Sequence, residues 1–278
     1  MKNGVLKPED YLEPACLLCG EPFGAEPKPR PIPQRRVLEK LDEYRDRRDY
    51  PAAERHLRYW LEEALLGRDK RGELVVRNEL IGHYRKTGAR DKALEQVDAA
   101  LALLDALDFG ETRSAGTTLV NAATACSAFG ENERALALFE RARAVYAALP
   151  KAEPALLGGL CNNMALACQA LGRFDEAMTL FEQAIAHMGA AENGEPEQAI
   201  SYLNMADAVE AAEGAEAGES RIFALLDRAE ALLRESKAPR DGYYAFVCEK
   251  CAPCFDHHGY FLTAQALREE AQAIYERA

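Results

Sequence analysis

Five thiols near the two ends of this 278-residue chain are its most chemically suggestive side chains. Cys16 and Cys19 stand in PACLLCGEPFG, and Cys248, Cys251 and Cys254 stand in FVCEKCAPCFDHH. A Cys-x-x-Cys spacing lets two thiolates face one cation, and two further sulfur or imidazole donors complete a tetrahedral zinc site. Cys16 and Cys19 would be joined by two of Cys248, Cys251 and Cys254, with His257 or His258 as spare ligands. Two other chemistries compete with this one. A redox pair at Cys16 and Cys19 would need a thioredoxin-like strand and helix around it, and the sequence shows none. An iron–sulfur cluster fits poorly, because CEKCAPC lacks the following Cys-Pro of bacterial ferredoxins. The remaining reading is that these thiols are small apolar residues in a packed core.

Other chemistry is scarce. The sequence contains no phosphate-binding loop, no GxSxG elbow, no HExxH and no dinucleotide fingerprint. Its five histidines are scattered, apart from the pair His257 and His258. His83 beside Tyr84 reads as packing, and carboxylates are spread as a solvated helix face requires. The expectation is a protein that is not an enzyme. A formal net charge of −12 argues against a nucleic-acid partner, since phosphate contacts need clustered cations. Residues 28–92 nevertheless carry 18 Lys and Arg against 12 Asp and Glu. That local excess suits an acidic partner or head-to-tail self-association. The opening residues MKNGVLKPEDYLEP hold no apolar run of signal-peptide length, and no stretch approaches a membrane span. A cytoplasmic protein with reduced thiols and no membrane partner is expected.

The elements that must position these residues are announced by an internal repeat. NELIGHYRKTGARDKALEQVDAAL, VNAATACSAFGENERALALFERARAV and NNMALACQALGRFDEAMTLFEQAIAH align without gaps, with Gly88, Gly130 and Gly172 spaced by 42. Five residues after each glycine comes Ala93, Ala135 or Ala177, and seven later Ala100, Ala142 or Ala184. Gly259, Ala264 and Ala271 restate the triplet near the end of the chain. A helix of about 15 residues ending at a left-handed glycine, followed at once by a second helix, explains this pattern. The alanines lie on one face and let the paired helices approach closely, and neighbouring pairs must stack to cover what each leaves bare. The first pair has Arg48 where the glycine belongs, and the fifth carries an insertion around AAEGAEAGES.

These residues resemble tetratricopeptide repeats, most closely the 42-residue kinesin light-chain type, over residues 35–278. The resemblance implies an all-α, right-handed α-solenoid of about six antiparallel helix pairs. Residues 1–34, with seven of the thirteen prolines, read as a proline-rich arm carrying the CxxC. It also implies that first helices line a concave groove that binds a peptide or protein segment. Counting back from the glycines puts Asn78, Asn162 and Asn204, then Asn121 and Asn163, on that face, with Arg85 and Gln169 beside them. Asn204 fits either column. An asparagine ladder pairs with an extended backbone through its donor and acceptor; equally, each asparagine can tie neighbouring helices together. The expected function is a non-catalytic interaction scaffold, with a peptide-sensing regulator or a zinc protein as alternatives.

The repeat columns bear on the metal reading. Cys126 and Cys168 share a core column with Tyr84 and Phe255, whereas Cys248, Cys251 and Cys254 share theirs mainly with Leu, Ala or Met. On the other side, CLLCG resembles a zinc-ribbon knuckle. With the chain ending at Ala278, the last repeat also needs a cover, and the arm could supply it. From Cys19 to Gln34 the arm spans roughly 45 Å if extended as polyproline.

Overall fold

A computed structural model describes residues 28–107, 112–150 and 153–277. Twelve helices and no strand occur among these residues. They are α1 (Gln34–Asp46), α2 (Tyr50–Leu66), α3 (Lys70–Thr87), α4 (Arg90–Ala106), α5 (Arg113–Ala128), α6 (Asn132–Ala148), α7 (Pro154–Ala170), α8 (Phe174–Gly189), α9 (Glu195–Glu213), α10 (Ala215–Glu235), α11 (Gly242–His257) and α12 (Phe261–Tyr275). Consecutive helices pair as the repeat demands, and the chain divides into two compact units, residues 1–76 and 77–278.

The turn chemistry explains the period. Gly88, Gly130, Gly172 and Gly259 adopt φ of 72°, 83°, 73° and 83°, a region closed to most side chains. The amide after each of these glycines donates to a carbonyl five residues back: Ala89 to Tyr84, Glu131 to Cys126, Arg173 to Cys168 and Tyr260 to Phe255. Those acceptors form the aromatic and cysteine column of the core, so one residue both fills the interior and closes its helix. Arg48 makes the same turn at φ 54°, with Asp49 donating to Tyr44. The geometry is thus imposed by packing even where glycine is missing.

The paired alanines lie where expected. Ala93, Ala100, Ala135, Ala142, Ala177 and Ala184 are wholly inaccessible, and Ala264 and Ala271 nearly so. A larger side chain at any of them would force the helices of its pair apart.

In the first unit, the proline-rich chain at residues 28–33 is non-helical and held at two points. Arg30 N–H donates to the Gly67 carbonyl at 2.8 Å, and Ile32 N–H donates to Asp69 Oδ2 at 2.8 Å. Ile32 is buried, and the Asp69 carboxylate also receives the Gly72 amide. A Cβ at Gly67 would sit 2.5 Å from the Arg30 carbonyl oxygen, so this close approach requires glycine. The rest of the arm, Cys16 and Cys19 included, lies outside the described residues.

The second unit contains the insertion. The inward residues of α9 repeat those of α7 at a spacing of 41: Ala165 and Ala206, Ala167 and Ala208, Cys168 and Val209 are all buried. Gly214 nonetheless follows Gly172 by 42 residues. The added residue before it lengthens α9, and the Gly214 amide donates to Glu210 in place of the five-back bond. Asn204 therefore falls in the column of Asn121 and Asn163.

Candidate functional site

First helices of successive pairs lie side by side in the second unit, and a cleft of about 370 Å³ opens across α5, α7, α9 and α11. Its apolar wall contains Leu156, Ile200, Tyr243 and Phe246, and its polar groups include Asn162, Asn163, Glu197 and Lys250. Tyr243 and Phe246 are 54% and 51% exposed, with ring centroids 6.2 Å apart. Large aromatics left half in water at the mouth of a cleft are surface that burial against another molecule would stabilise.

The charges around the aromatics are paired unevenly. Glu197 Oε2 is buried without a hydrogen-bond partner among the described residues. Desolvation in the wall of the cleft pushes the Tyr243 phenol well above its ordinary range, and neighbouring Glu197 adds to that shift. Lys250 is held below the usual lysine range by desolvation, with Arg85 repelling it further. Lys250 gives the cleft a cationic donor, and Asn163 gives it both a donor and an acceptor.

The asparagines divide into two kinds. Asn162 is buried, and its Oδ1 accepts from Asn204 Nδ2 at 3.0 Å and from Ser201 Oγ at 3.1 Å, both on α9. Asn78 Nδ2 donates to Thr118 Oγ1 of α5 at 2.7 Å. Asn78, Asn162 and Asn204 thus spend hydrogen bonds on neighbouring first helices. Asn121 and Asn163 are half-buried and make no such bond among the described residues, and Asn163 lines the cleft. Gln169 presents a buried Oε1 without a partner among the described residues, and Arg85 is exposed at the end of α3.

The thiols also divide. Cys248 and Cys251 lie in the core shared by α9 to α12, and burial pushes each thiol up to about 12. Cys126, equally enclosed, is pushed up to about 11. A buried, protonated thiol is an inert packing group. Cys254 differs, since it is half-buried and its Sγ lies 3.4 Å from Asp207 Oδ1. Burial first and the Asp207 charge second push that thiol far above its ordinary range. Asp207 is itself raised, chiefly by desolvation. His257 Nε2 and Glu210 Oε2 are hydrogen-bonded at 2.9 Å beside them, and His258 completes the group. Sequence spacing did not reveal this grouping: Asp207 and Glu210 belong to α9, and Cys254 and His257 lie 47 residues after Asp207 and Glu210 respectively.

No protein-family model matches the chain, and no curated protein matches it. Solved structures do. A putative kinesin light chain with nearly identical TPR-like repeats, from Podosopora anserina, is similar at 23% identity and a TM-score of 0.50, over 72% of this chain and 94% of that one. BtubC (BKLC) from P. vanneervenii is similar at 17% identity and a TM-score of 0.50, over 89% of this chain and 92% of that one. Both likenesses concern the fold, and they agree with the pairing of helices described above.

Proposed function

We propose that this chain, whose fold is the tetratricopeptide-like array of helix pairs, is a non-catalytic scaffold that holds an extended protein segment in the cleft of α5, α7, α9 and α11. The observation that carries this reading is the exposed pair Tyr243 and Phe246, set beside the half-buried Asn163 in the lining of the cleft. An extended backbone offers both donors and acceptors to the Asn163 amide. One apolar side chain of the segment covers the two aromatic rings. Binding of this kind depends on a few desolvated anchors, while flanking contacts mainly exclude water.

A random peptide library selected on the full chain supplies the probe, and titration calorimetry measures it. Tyr243→Ala with Phe246→Ala should weaken the selected peptide at least about tenfold, and Asn163→Ala by a few-fold. Phe261→Ala, a 66% exposed aromatic on α12 outside the cleft, should leave affinity unchanged. Full affinity in the Tyr243 and Phe246 double variant removes the cleft as the binding surface.

A further inference from the structure

His258 is out of keeping with its position. It follows α11 at the turn, one residue before Gly259, where pairs three and four place Phe129 and Leu171. Its side chain is only 8% exposed, yet Nε2 has no hydrogen-bond partner among the described residues. That nitrogen points between two carboxylates, 3.9 Å from Asp207 Oδ1 and 4.0 Å from Glu210 Oε2. These distances are too long for hydrogen bonds, and a buried imidazole nitrogen without a partner calls for an explanation.

Cys254 occupies a column filled by Ala125 and Ala167 in pairs three and four. Its Sγ, a ring nitrogen of His258 and a carboxylate oxygen of Asp207 all lie within 4.8 Å of one another. Zinc bonds of 2.0–2.3 Å at tetrahedral angles place donor atoms about 3.3–3.6 Å apart. The sulfur-to-Asp207 separation of 3.4 Å already matches, and the His258-to-Asp207 separation exceeds it by a rotamer-scale adjustment.

We propose that the seam between α9 and α11 is a binding site for one divalent transition-metal ion of the zinc class, ligated by Asp207 Oδ1, Cys254 Sγ and His258 Nε2. Glu210 Oε2, 4.0 Å from His258 Nε2 and bonded to His257, would have to swing toward Asp207 and Cys254 to supply a fourth donor. A mixed sulfur, nitrogen and oxygen set selects borderline cations over calcium or magnesium, which require oxygen. The bond from His257 to Glu210 is the kind of support that ordered metal sites carry. The ion would bridge the fifth and sixth helix pairs at the C-terminal end of both first helices. It differs in composition from a site built with Cys16, Cys19, Cys248 and Cys251, since the last two thiols are enclosed in core.

Cobalt(II) titration of the full chain, stripped with a chelator and kept reduced, is the test. One equivalent should bind with a thiolate-to-cobalt charge-transfer band, and zinc should displace it. Cys254→Ser should abolish the band, and Asp207→Asn and His258→Gln should each weaken binding at least about tenfold. Circular dichroism checks that each variant is folded, and Asp207→Asn, at a side chain 49% exposed, keeps the test valid if His258→Gln unfolds. Absence of a saturable thiolate band overturns the proposal. So does unchanged affinity in Asp207→Asn, or a band that survives Cys254→Ser and is lost in the Cys16→Ser, Cys19→Ser double variant. A histidine–carboxylate ion pair without a metal gives the first of these results.

Discussion

Replacing Asn162 with Ala separates the two roles an asparagine can play on this fold. The side chain is 8% exposed, and its Oδ1 is shared by Asn204 Nδ2 and Ser201 Oγ. Each hydrogen bond contributes about 0.5–1.5 kcal/mol net, so losing both removes about 1–3 kcal/mol. The orphaned donors moderate that figure. Ser201 keeps its bond to the Glu197 carbonyl at 3.1 Å, and half-buried Asn204 can turn toward water. The expected loss is therefore about 2 kcal/mol, which lowers the melting point of the affected segment by about 4–8 °C in a unit of this size. Urea unfolding of the single variants and of the pair with Asn204→Ala gives the coupling directly, expected near 1 kcal/mol. Asn163→Ala should cost less than about 0.5 kcal/mol, because it breaks no bond within the fold. Additive effects of Asn162→Ala and Asn204→Ala would refute the reasoning. So would loss of peptide affinity in Asn162→Ala with stability intact, which would return Asn162 to the ligand.

Other predictions test the repeat itself. Gly172→Ala places a side chain in open space at φ 73°, so its cost is conformational alone, about 1–2 kcal/mol by denaturant unfolding. Gly116→Ala would bring a Cβ within 2.2 Å of the buried Tyr146 ring and should destabilise by about 1–3 kcal/mol, whereas Gly159→Ala, with nothing within 4 Å, should stabilise by about 0.5–1 kcal/mol. Alkaline melts should show stability unchanged up to about pH 8.5, where unfolded thiols ionise. Above that it should fall through pH 11–12, because folded Cys126, Cys248 and Cys251 retain protons that the unfolded chain releases. Arg141→Ala breaks an exposed pair with Asp105 and should change stability by less than about 0.5 kcal/mol.

The fold was legible because its critical positions restrict residue type. A left-handed turn and a close helix approach admit glycine and alanine and little else, so Gly130, Gly172, Ala135 and Ala177 print the period in the sequence. Arg48 shows the limit, since the same turn forms there against local preference. The column of Cys126 and Cys168 was readable for the same reason, being buried in pairs two, three, four and six. Rotation of one first helix against the next was not readable. A single added residue before Gly214 moves the whole inward face of α9, and with it decides whether Asn204 meets Asn162 or the cleft. The cluster of Asp207, Cys254 and His258 was hidden likewise, because periodicity assigns columns within a helix and says nothing of which columns meet across a seam. By spacing, His257 and His258 are only an adjacent pair before the turn at Gly259, whereas in the structure the His258 side chain is enclosed.

The links between first helices are unequal, and this gives the second unit a mechanical character. α3 is tied to α5 by Asn78 and Thr118, and α7 to α9 by the Asn162 network. α9 is tied to α11 through Asp207 with Cys254 and Glu210 with His257. Between α5 and α7 the single side-chain bond among the described residues is the exposed pair of Arg113 and Glu153. Val120 stands there in the column that Asn78 and Asn162 occupy in their own pairs. Pulled from its ends, the unit would behave as a spring with one soft coil. A segment lying across the α5–α7 seam would act as a splint for this coil.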